Sequence, residues 1–166
     1  MYLGELVFGS LKRTFMIILR GNKEIDNEFT RIDGNEHTIK DVRNFSIINK
    51  QQWVTHKKLI TRKKIIISVE FLSDEKMDFS RKDFDIISMI IFHFKTFKDG
   101  TPFTHVKKIR KEFLYEKEIR ASGYILPDQY TFLLRCGFDS VEIESENKDE
   151  WLRSFNENCG LYYQPN

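Results

Sequence analysis

The chain has 166 residues, of which 40% are hydrophobic and 31% are charged. This length suits a single domain, and the apolar content suffices for a core that needs no disulfides or metal ions. The 27 basic and 25 acidic side chains leave a formal net charge of +2, which argues against nucleic-acid binding and does not favour a membrane surface.

Cysteine usage and the apolar runs predict a cytoplasmic protein. The two cysteines, Cys136 and Cys159, lack CxxC spacing, which favours a reducing compartment over a disulfide framework. The longest apolar run, residues 86–94, is of strand length and falls far below the ~20 residues of a membrane span. The N-terminus also lacks the charged and apolar segments of a secretory signal.

The start of the chain differs in character from the sequence that follows it. We predict that residues 1–15 are an N-terminal extension and that residues 16–166 form a single α/β domain. The alternative is that residues 1–15 are an ordinary first strand and turn. The sequence MIILRGNKEI, starting at Met16, predicts a strand and a turn, and the polar residues 21–44 allow a short hairpin.

From Phe45 onward, apolar runs of strand length alternate with segments of helical periodicity. Consecutive βα units of this kind predict an α/β fold whose sheet is mostly parallel, either as an open sheet or as a partial barrel. Strands are predicted at residues 45–48, 64–71, 86–94, 118–125 and 138–143.

Helices are predicted between these strands, with recognisable signals at their ends. Asn49 is a predicted N-cap, and Gly137 lies where a left-handed C-terminal residue is wanted. Residues 73–85 are assigned to a charged connection without a helix. The predicted helices follow Asn49, surround Val106, follow Pro127 and cover residues 148–158.

The loops that follow parallel strands gather at one edge of a sheet, where open α/β sheets bind their ligands. We therefore predict that residues 95–101, residues 124–129 and the segment after Ile143 are neighbours. The loop at 95–101 combines two lysines with Asp99 and Gly100. Backbone N–H groups at the start of the next helix could hold a phosphate, a sulfate or a carboxylate there.

The candidate ligand site at this edge includes two arginines, because guanidinium groups bind such anions bidentately. The alternative is an ordinary polar turn, in which Asp99 accepts from local N–H groups and Gly100 supplies a positive φ. The candidate ligand-binding residues are Lys95, Lys98, Asp99, Gly100, Arg120, Asp128, Gln129 and Arg135.

The sequence contains no complete catalytic, metal or cofactor motif. His93, His105, Cys136 and Asp99 lack the spacing of metal ligands, so no metal is predicted. No GxGxxG follows a strand, so the Rossmann fingerprint is missing. Flavin proteins of other folds need no such motif, so the cofactor stays unknown and the question of enzymatic activity stays open. Cys136 is predicted to be a buried structural thiol, because a helix C-terminus disfavours a thiolate.

Four segments carry a resemblance to a known family: FKTFKDG at 94–100, IRKEF at 109–113, EIRASGYILPDQ at 118–129 and LLRCGFDSVEI at 133–143. With the terminal LYYQ, they make residues 60–166 similar to the bacterial family known as domain of unknown function nine-three-four. Genes of that family lie beside those for assimilatory sulfite and adenylylsulfate reduction, and its members are labelled as oxidoreductases. The resemblance therefore implies an accessory role in assimilatory sulfate and sulfite reduction, with a sulfite reductase or a related enzyme as the partner.

The loop departs from the family pattern at Thr101, where the family has an arginine, and at Tyr124, where the family has an aspartate. If the family loop binds an anion through that arginine, Lys95 or Lys98 would have to replace it here. Two alternatives therefore stand beside the accessory role. The first is a small oxidoreductase or an anion- or nucleotide-binding protein that uses residues 95–101. The second is an interaction domain unrelated to sulfur metabolism.

Overall fold

The structure is a computed structural model that describes residues 15–32 and 42–159. The extension predicted over residues 1–15 lies outside these segments except for Phe15. In the two segments the strands are β1 Met16–Arg20, β2 Lys23–Ile25, β3 Thr30–Arg31, β4 Ser46–Asn49, β5 Ile67–Leu72, β6 Met89–Phe94, β7 Glu118–Gly123 and β8 Ser140–Glu144. The α-helices are α1 Lys50–Lys63, α2 Arg81–Ile86, α3 Thr101–Glu112, α4 Tyr130–Cys136 and α5 Lys148–Cys159.

The described strands form one open, curled sheet in the order β2-β1-β8-β7-β6-β5-β4-β3. Strands β3 to β8 each pair in parallel with their sequence neighbours, whereas β1 pairs antiparallel with β8 and with β2. The predicted α/β class is therefore confirmed, but the sheet is mixed and not purely parallel. The pairing of β1 with β2 is antiparallel because a tight turn at Gly21, with a φ of 59°, reverses the chain in a hairpin.

The curl gives the sheet a helix-covered face and a concave face. Successive parallel strands are neighbours in the sheet, so right-handed connections place their helices on the same face. On that face the strands bury a core that includes Phe71, Phe92 and Ile119. Across the concave face, Arg31 of β3 contacts Glu142 of β8, although four strands lie between them in the sheet.

Local sequence signals explain where two of the helices begin and end. Asn49 caps α1 as predicted, because its side chain accepts from Gln52 N at 2.8 Å and its own N–H donates to the Gln52 side chain at 3.0 Å. Gly137 follows α4 with a φ of 110°, which confirms the predicted left-handed cap.

Two local predictions are wrong. Residues 81–86, predicted as part of a charged connection and the start of a strand, form α2. This short helix begins there because Asp83 accepts from the Ser80 N–H at 2.9 Å and from the Ser80 hydroxyl at 2.6 Å. Gly100, to which the turn alternative assigned a positive φ, has a φ of −89°.

At the amino ends of the parallel strands, the connection between β2 and β3 fills the concave face. Phe29 in this connection packs on Met89 and Ile91. In the same connection, the Asn27 side chain accepts from Arg120 at 3.0 Å. The concave face stays open at the carboxyl ends of the same strands.

Candidate functional site

A cavity of about 830 Å³ opens at the carboxyl ends of β5 to β8. This is the edge at which parallel α/β sheets bind ligands, because the loops that follow the strands meet there. The described residues that line the cavity are Met16, Arg31, Glu70, Leu72, His93, Ser122, Gly123, Tyr124, Ile125, Glu142, Ile143, Glu144, Asn147 and Trp151.

His93 on β6 and Ser122 on β7 form the central polar pair of the cavity. The two residues are partners in the strand register, and His93 Nδ1 lies 3.2 Å from the Ser122 hydroxyl. Ser122 is buried, whereas His93 is partly exposed. The hydroxyl thus engages one ring nitrogen and leaves Nε2 as the nitrogen that can meet a molecule in the cavity.

Gly123 ends β7 beside this pair and leaves room for the imidazole. Its φ of 85° lies in the left-handed region, and a Cβ there would overlap the Phe94 carbonyl oxygen and approach His93 Nδ1 to 3.1 Å. A larger residue would therefore displace either the backbone of β6 or the His93 ring. The close approach of β7 to β6 sets the position of His93.

Arg31 binds two glutamates in the wall of the cavity. It donates to both carboxylate oxygens of Glu142, at 2.6 and 2.7 Å, and to Glu70 Oε1 at 2.9 and 3.2 Å. These hydrogen bonds use most of the five N–H donors of a guanidinium. Burial disfavours the charge, but the hydrogen bonds to Glu142 and Glu70 outweigh this effect and raise the pKa of Arg31 above its ordinary value.

A second charged network lies beneath the cavity and contains Arg120, one of the predicted ligand residues. Glu118 accepts from Arg120 at 2.9 Å, from Ser140 at 2.6 Å and from Arg20 at 2.7 Å. Burial opposes the carboxylate charge, yet the Ser140 hydrogen bond and the Arg120 charge lower the pKa of Glu118. Arg120 is 2% exposed and does not line the cavity.

The loop predicted to bind an anion is held by its own hydrogen bonds. Asp99 accepts from the Ser73 hydroxyl at 2.5 Å and from Thr96 N at 3.1 Å. The Ser73 hydrogen bond is the largest of the effects that lower the pKa of Asp99. Lys95 pairs with Asp74 at 2.6 Å, and Lys98 Nζ lies 5.6 Å from the centre of the Phe97 ring. This geometry agrees with the polar-turn alternative, apart from the φ of Gly100.

The remaining predicted ligand residues lie in and after the loop that follows β7. Gln129 accepts from Leu126 N at 3.1 Å and donates to the Phe97 carbonyl at 2.9 Å, so the two predicted loops do lie side by side. Asp128 is exposed, and Arg135 lies 5.8 Å from the centre of the Phe132 ring. None of the eight predicted ligand residues is among the described residues that line the cavity, and their role in binding stays a prediction.

Among the described residues, the candidates for metal binding and for a reactive thiol form no such site. His93, His105, Cys136 and Asp99 form no group of three potential ligands around one point there. Burial lowers the pKa of His105 and raises the pKa of the Cys136 thiol, and Cys136 is 4% exposed, as predicted for a structural thiol. In the same part of the chain, no helix has both the length and the apolar character required to cross a bilayer.

Sequence reasoning missed most of the cavity residues, although a signal for them exists. Consecutive strands carry a polar residue at every second position, as in Arg120 and Ser122 on β7, and Ser140 and Glu142 on β8. Such alternation indicates a polar sheet face opposite the helix-covered core. The side chains of that face are therefore candidates for a site.

The comparison with known protein families supports the resemblance that the motifs after β5 carry. A family described as a bacterial protein of unknown function (DUF934) matches residues 68–166, which includes His93, Ser122 and Glu142 but not Arg31. Neither the curated proteins nor the solved structures give a match to this chain. Because the family match covers more than half of the chain, the protein belongs to this bacterial family of unknown function.

Proposed function

We propose that the protein binds a small organic molecule in the cavity at the carboxyl ends of β5 to β8. The observation that carries the proposal is the combination of place and size. A volume of about 830 Å³ lies within the range of about 300–1,000 Å³ that is typical of small-molecule sites. The cavity also lies at the edge of the sheet where α/β proteins bind ligands.

The pair of His93 and Ser122 gives this cavity a means of contacting and reacting with its ligand. Histidine is the side chain that exchanges a proton most readily near neutral pH. The Ser122 hydroxyl lies 3.2 Å from Nδ1 and orients the ring, so Nε2 is the atom that would donate a proton to the ligand or accept one from it. We therefore include proton transfer by His93 in the proposal.

A thermal-shift screen of small metabolites tests this proposal with two matched tryptophan variants. Asn147→Trp puts a bulky ring at the exposed rim of the cavity, and Asn156→Trp puts the same ring on the exposed side of α5. A ligand at about ten times its Kd stabilises the folded protein by about 1.4 kcal/mol. For a chain of this size, that stabilisation raises Tm by roughly 3–6 °C.

The expected result is a ligand that raises the Tm of the wild type and of Asn156→Trp but not of Asn147→Trp. A His93→Gln variant that still binds this ligand, but no longer converts it, would support the proton-transfer role. A ligand that stabilises all three proteins equally binds elsewhere. If no compound separates the rim variant from its control, the proposal is wrong.

We also propose, from the resemblance, that the protein is a partner of a sulfite reductase or of a related enzyme of sulfate assimilation, in the cytoplasm. An exposed apolar patch supports a partner role: Phe97 is 46% exposed, Leu126 is 41% exposed and Phe132 is 43% exposed. The three residues lie on the neighbouring loops after β6 and β7 and on α4. Exposed apolar patches of this kind are typical of protein interfaces.

Co-purification from sulfate-grown bacteria tests the partner role. The tagged protein should retain the sulfite reductase, and Phe132→Ser should reduce the amount retained by severalfold. Leu114→Ser is the matched control, because Leu114 is 64% exposed and follows α3 at the opposite edge of the sheet. Retention that is absent, or that both variants reduce equally, would remove this proposal.

A further inference from the structure

We infer that the ligand of the cavity at the carboxyl ends of β5 to β8 is an organic cation with an apolar body. This inference rests on the proposed binding function and specifies the chemical class of the ligand. It depends on three features of the cavity: the balance of its charges, the engagement of Arg31 and the apolar surface beside the carboxylates.

The charges of the lining residues are unequal. Three carboxylates, Glu70, Glu142 and Glu144, stand against one guanidinium, Arg31, among the described residues around the cavity. The difference between three and one leaves two negative charges. A cavity with walls of low dielectric constant strengthens such an imbalance, because the field is focused into the opening. A cation therefore gains, and an anion loses, free energy on entry.

Arg31 would have to give up its hydrogen bonds to the glutamates in order to hold an anionic ligand bidentately. Its hydrogen bonds at 2.6 to 3.2 Å all go to Glu142 and Glu70. An anion that took these donors would leave Glu142, whose side chain is 5% exposed, as a buried charge without a partner. That loss costs several kcal/mol in general.

The basic residues that the sequence suggested for an anion lie elsewhere. Arg120 is bound to Glu118 beneath the cavity, and Lys95 is paired with Asp74. The backbone N–H groups of Tyr124 and Ile125, at the rim, donate to the Phe94 and Gly123 carbonyls. These two N–H groups are therefore not open to a phosphate or a sulfate, which proteins hold with several converging donors.

The rest of the lining suits an apolar body. Leu72 and Ile125 contribute apolar side chains, and Tyr124 at the rim is 71% exposed. Aromatic rings attract organic cations through their negatively charged faces. A primary amine or guanidinium group could meet Glu144, which is exposed at the end of β8, while its carbon skeleton contacts the apolar wall.

Three matched indoles of different charge test the inference: tryptamine, which is a cation, tryptophol, which is neutral, and indole-3-propionate, which is an anion. Each is titrated into the full-length protein at about pH 8, and the amide NMR shifts of Gly123, Tyr124 and Ile125 are followed. We expect tryptamine to shift these signals with the lowest Kd, tryptophol to bind more weakly and indole-3-propionate to leave them unchanged.

A pair of glutamate variants locates the effect of charge. Glu144→Gln removes a carboxylate from the rim and should weaken tryptamine binding about threefold to tenfold. Glu116→Gln removes an exposed carboxylate before the amino end of β7, far from the cavity, and should leave the Kd of tryptamine unchanged. Tryptophol binding should be unchanged in both variants.

The outcomes separate this inference from the binding function on which it rests. If indole-3-propionate or tryptophol shifts the cavity residues with a Kd equal to or below that of tryptamine, the charge class is wrong and the binding function stands. Equal weakening by both glutamate variants would overturn the inference as well, because it would indicate non-specific attraction. If no indole shifts any cavity residue, and the metabolite screen also yields nothing, both the inference and the binding function are wrong.

Discussion

Arg31 on β3 and Glu142 on β8 form a bidentate ion pair, at 2.6 and 2.7 Å, although 111 residues separate them in the sequence. The pair joins the first and the last of the parallel strands across the concave face. Since Arg31 also binds Glu70 on β5, one side chain connects three strands of the sheet. This cluster holds the curl that encloses the cavity.

Loss of Arg31 should destabilise the protein more than loss of an ordinary surface arginine. Arg31→Met leaves Glu142 in a buried position without a partner, and breaking a fully buried pair costs about 3–5 kcal/mol. Because the Arg31 side chain is 36% exposed, we expect a smaller loss of about 2 kcal/mol. Urea unfolding at neutral pH measures this loss.

Two further variants test whether the loss comes from the unpaired carboxylate. Arg62→Met, on an exposed site of α1, should change the free energy of unfolding by less than about 0.5 kcal/mol. Adding Glu142→Leu to Arg31→Met should recover much of the lost stability, since an apolar replacement removes the buried charge. A double variant that is less stable than Arg31→Met would contradict this explanation.

Glu118 should make the stability of the protein depend on pH. Its folded-state pKa is lowered, so the carboxylate stabilises the protein above the ordinary glutamate pKa, and this contribution is lost as the pH falls through the lowered pKa. Glu118→Gln should therefore be about 2 kcal/mol less stable than the wild type at neutral pH, because Arg120 loses its charged partner. The difference should shrink below about pH 4.

Urea unfolding of both proteins across this range of pH measures the difference. The glutamine variant should show a flatter dependence of stability on pH, since glutamine does not titrate. Glu116→Gln, at an exposed site two residues away, should follow the wild-type curve. A Glu118→Gln curve that ran parallel to the wild type at all pH values would rule out the role of ionisation.

Features fixed by local contacts could be predicted from the sequence. Asn49 and Gly137 are correctly predicted as caps, because each acts on residues within one helical turn. The course of β3 could not be predicted, because this strand consists of Thr30–Arg31. It depends on the pairing of Thr30 N with the Phe45 carbonyl at 2.9 Å, and no local sequence pattern predicts this contact.

The position of the site could be predicted only to the level of the sheet edge. The residue types of the loop at 95–101 can bind anions, but the sequence does not reveal that Asp99 is engaged by Ser73. Arg120 is a candidate for the same reason, and it is buried against Glu118. Which polar groups remain open to a ligand depends on partners that are distant in the sequence.

Gly123 should tolerate no side chain, whereas Gly100 should accept one. Gly123→Ala puts a Cβ onto the Phe94 carbonyl at a φ of 85°, so we expect a loss of at least about 2 kcal/mol. At Gly100, a methyl group would meet nothing within 4 Å, and the φ is negative, so Gly100→Ala should cost less than about 1 kcal/mol. Thermal unfolding of both variants compares them, and equal losses would contradict the assigned role of Gly123.

One further substitution tests whether the ligand binds at the loop at 95–101 or in the cavity. Asp99→Ala removes the acceptor of the Ser73 hydroxyl and of the Thr96 N–H, so we expect a lower Tm than in the wild type. Asp99 does not line the cavity, so any ligand found by the metabolite screen should keep its wild-type Kd. Asp128→Ala, at an exposed site, is the control and should leave the Tm unchanged.

The opposite result would indicate that the loop at 95–101 binds the ligand. If Asp99→Ala kept the wild-type Tm and lost the ligand, the carboxylate would be contacting the ligand and not holding the turn. Such an outcome would also contradict the cavity as the binding site, because Asp99 is not among the described residues that line it. Measuring Tm and Kd on the same preparation of Asp99→Ala therefore decides between the loop and the concave face of the sheet.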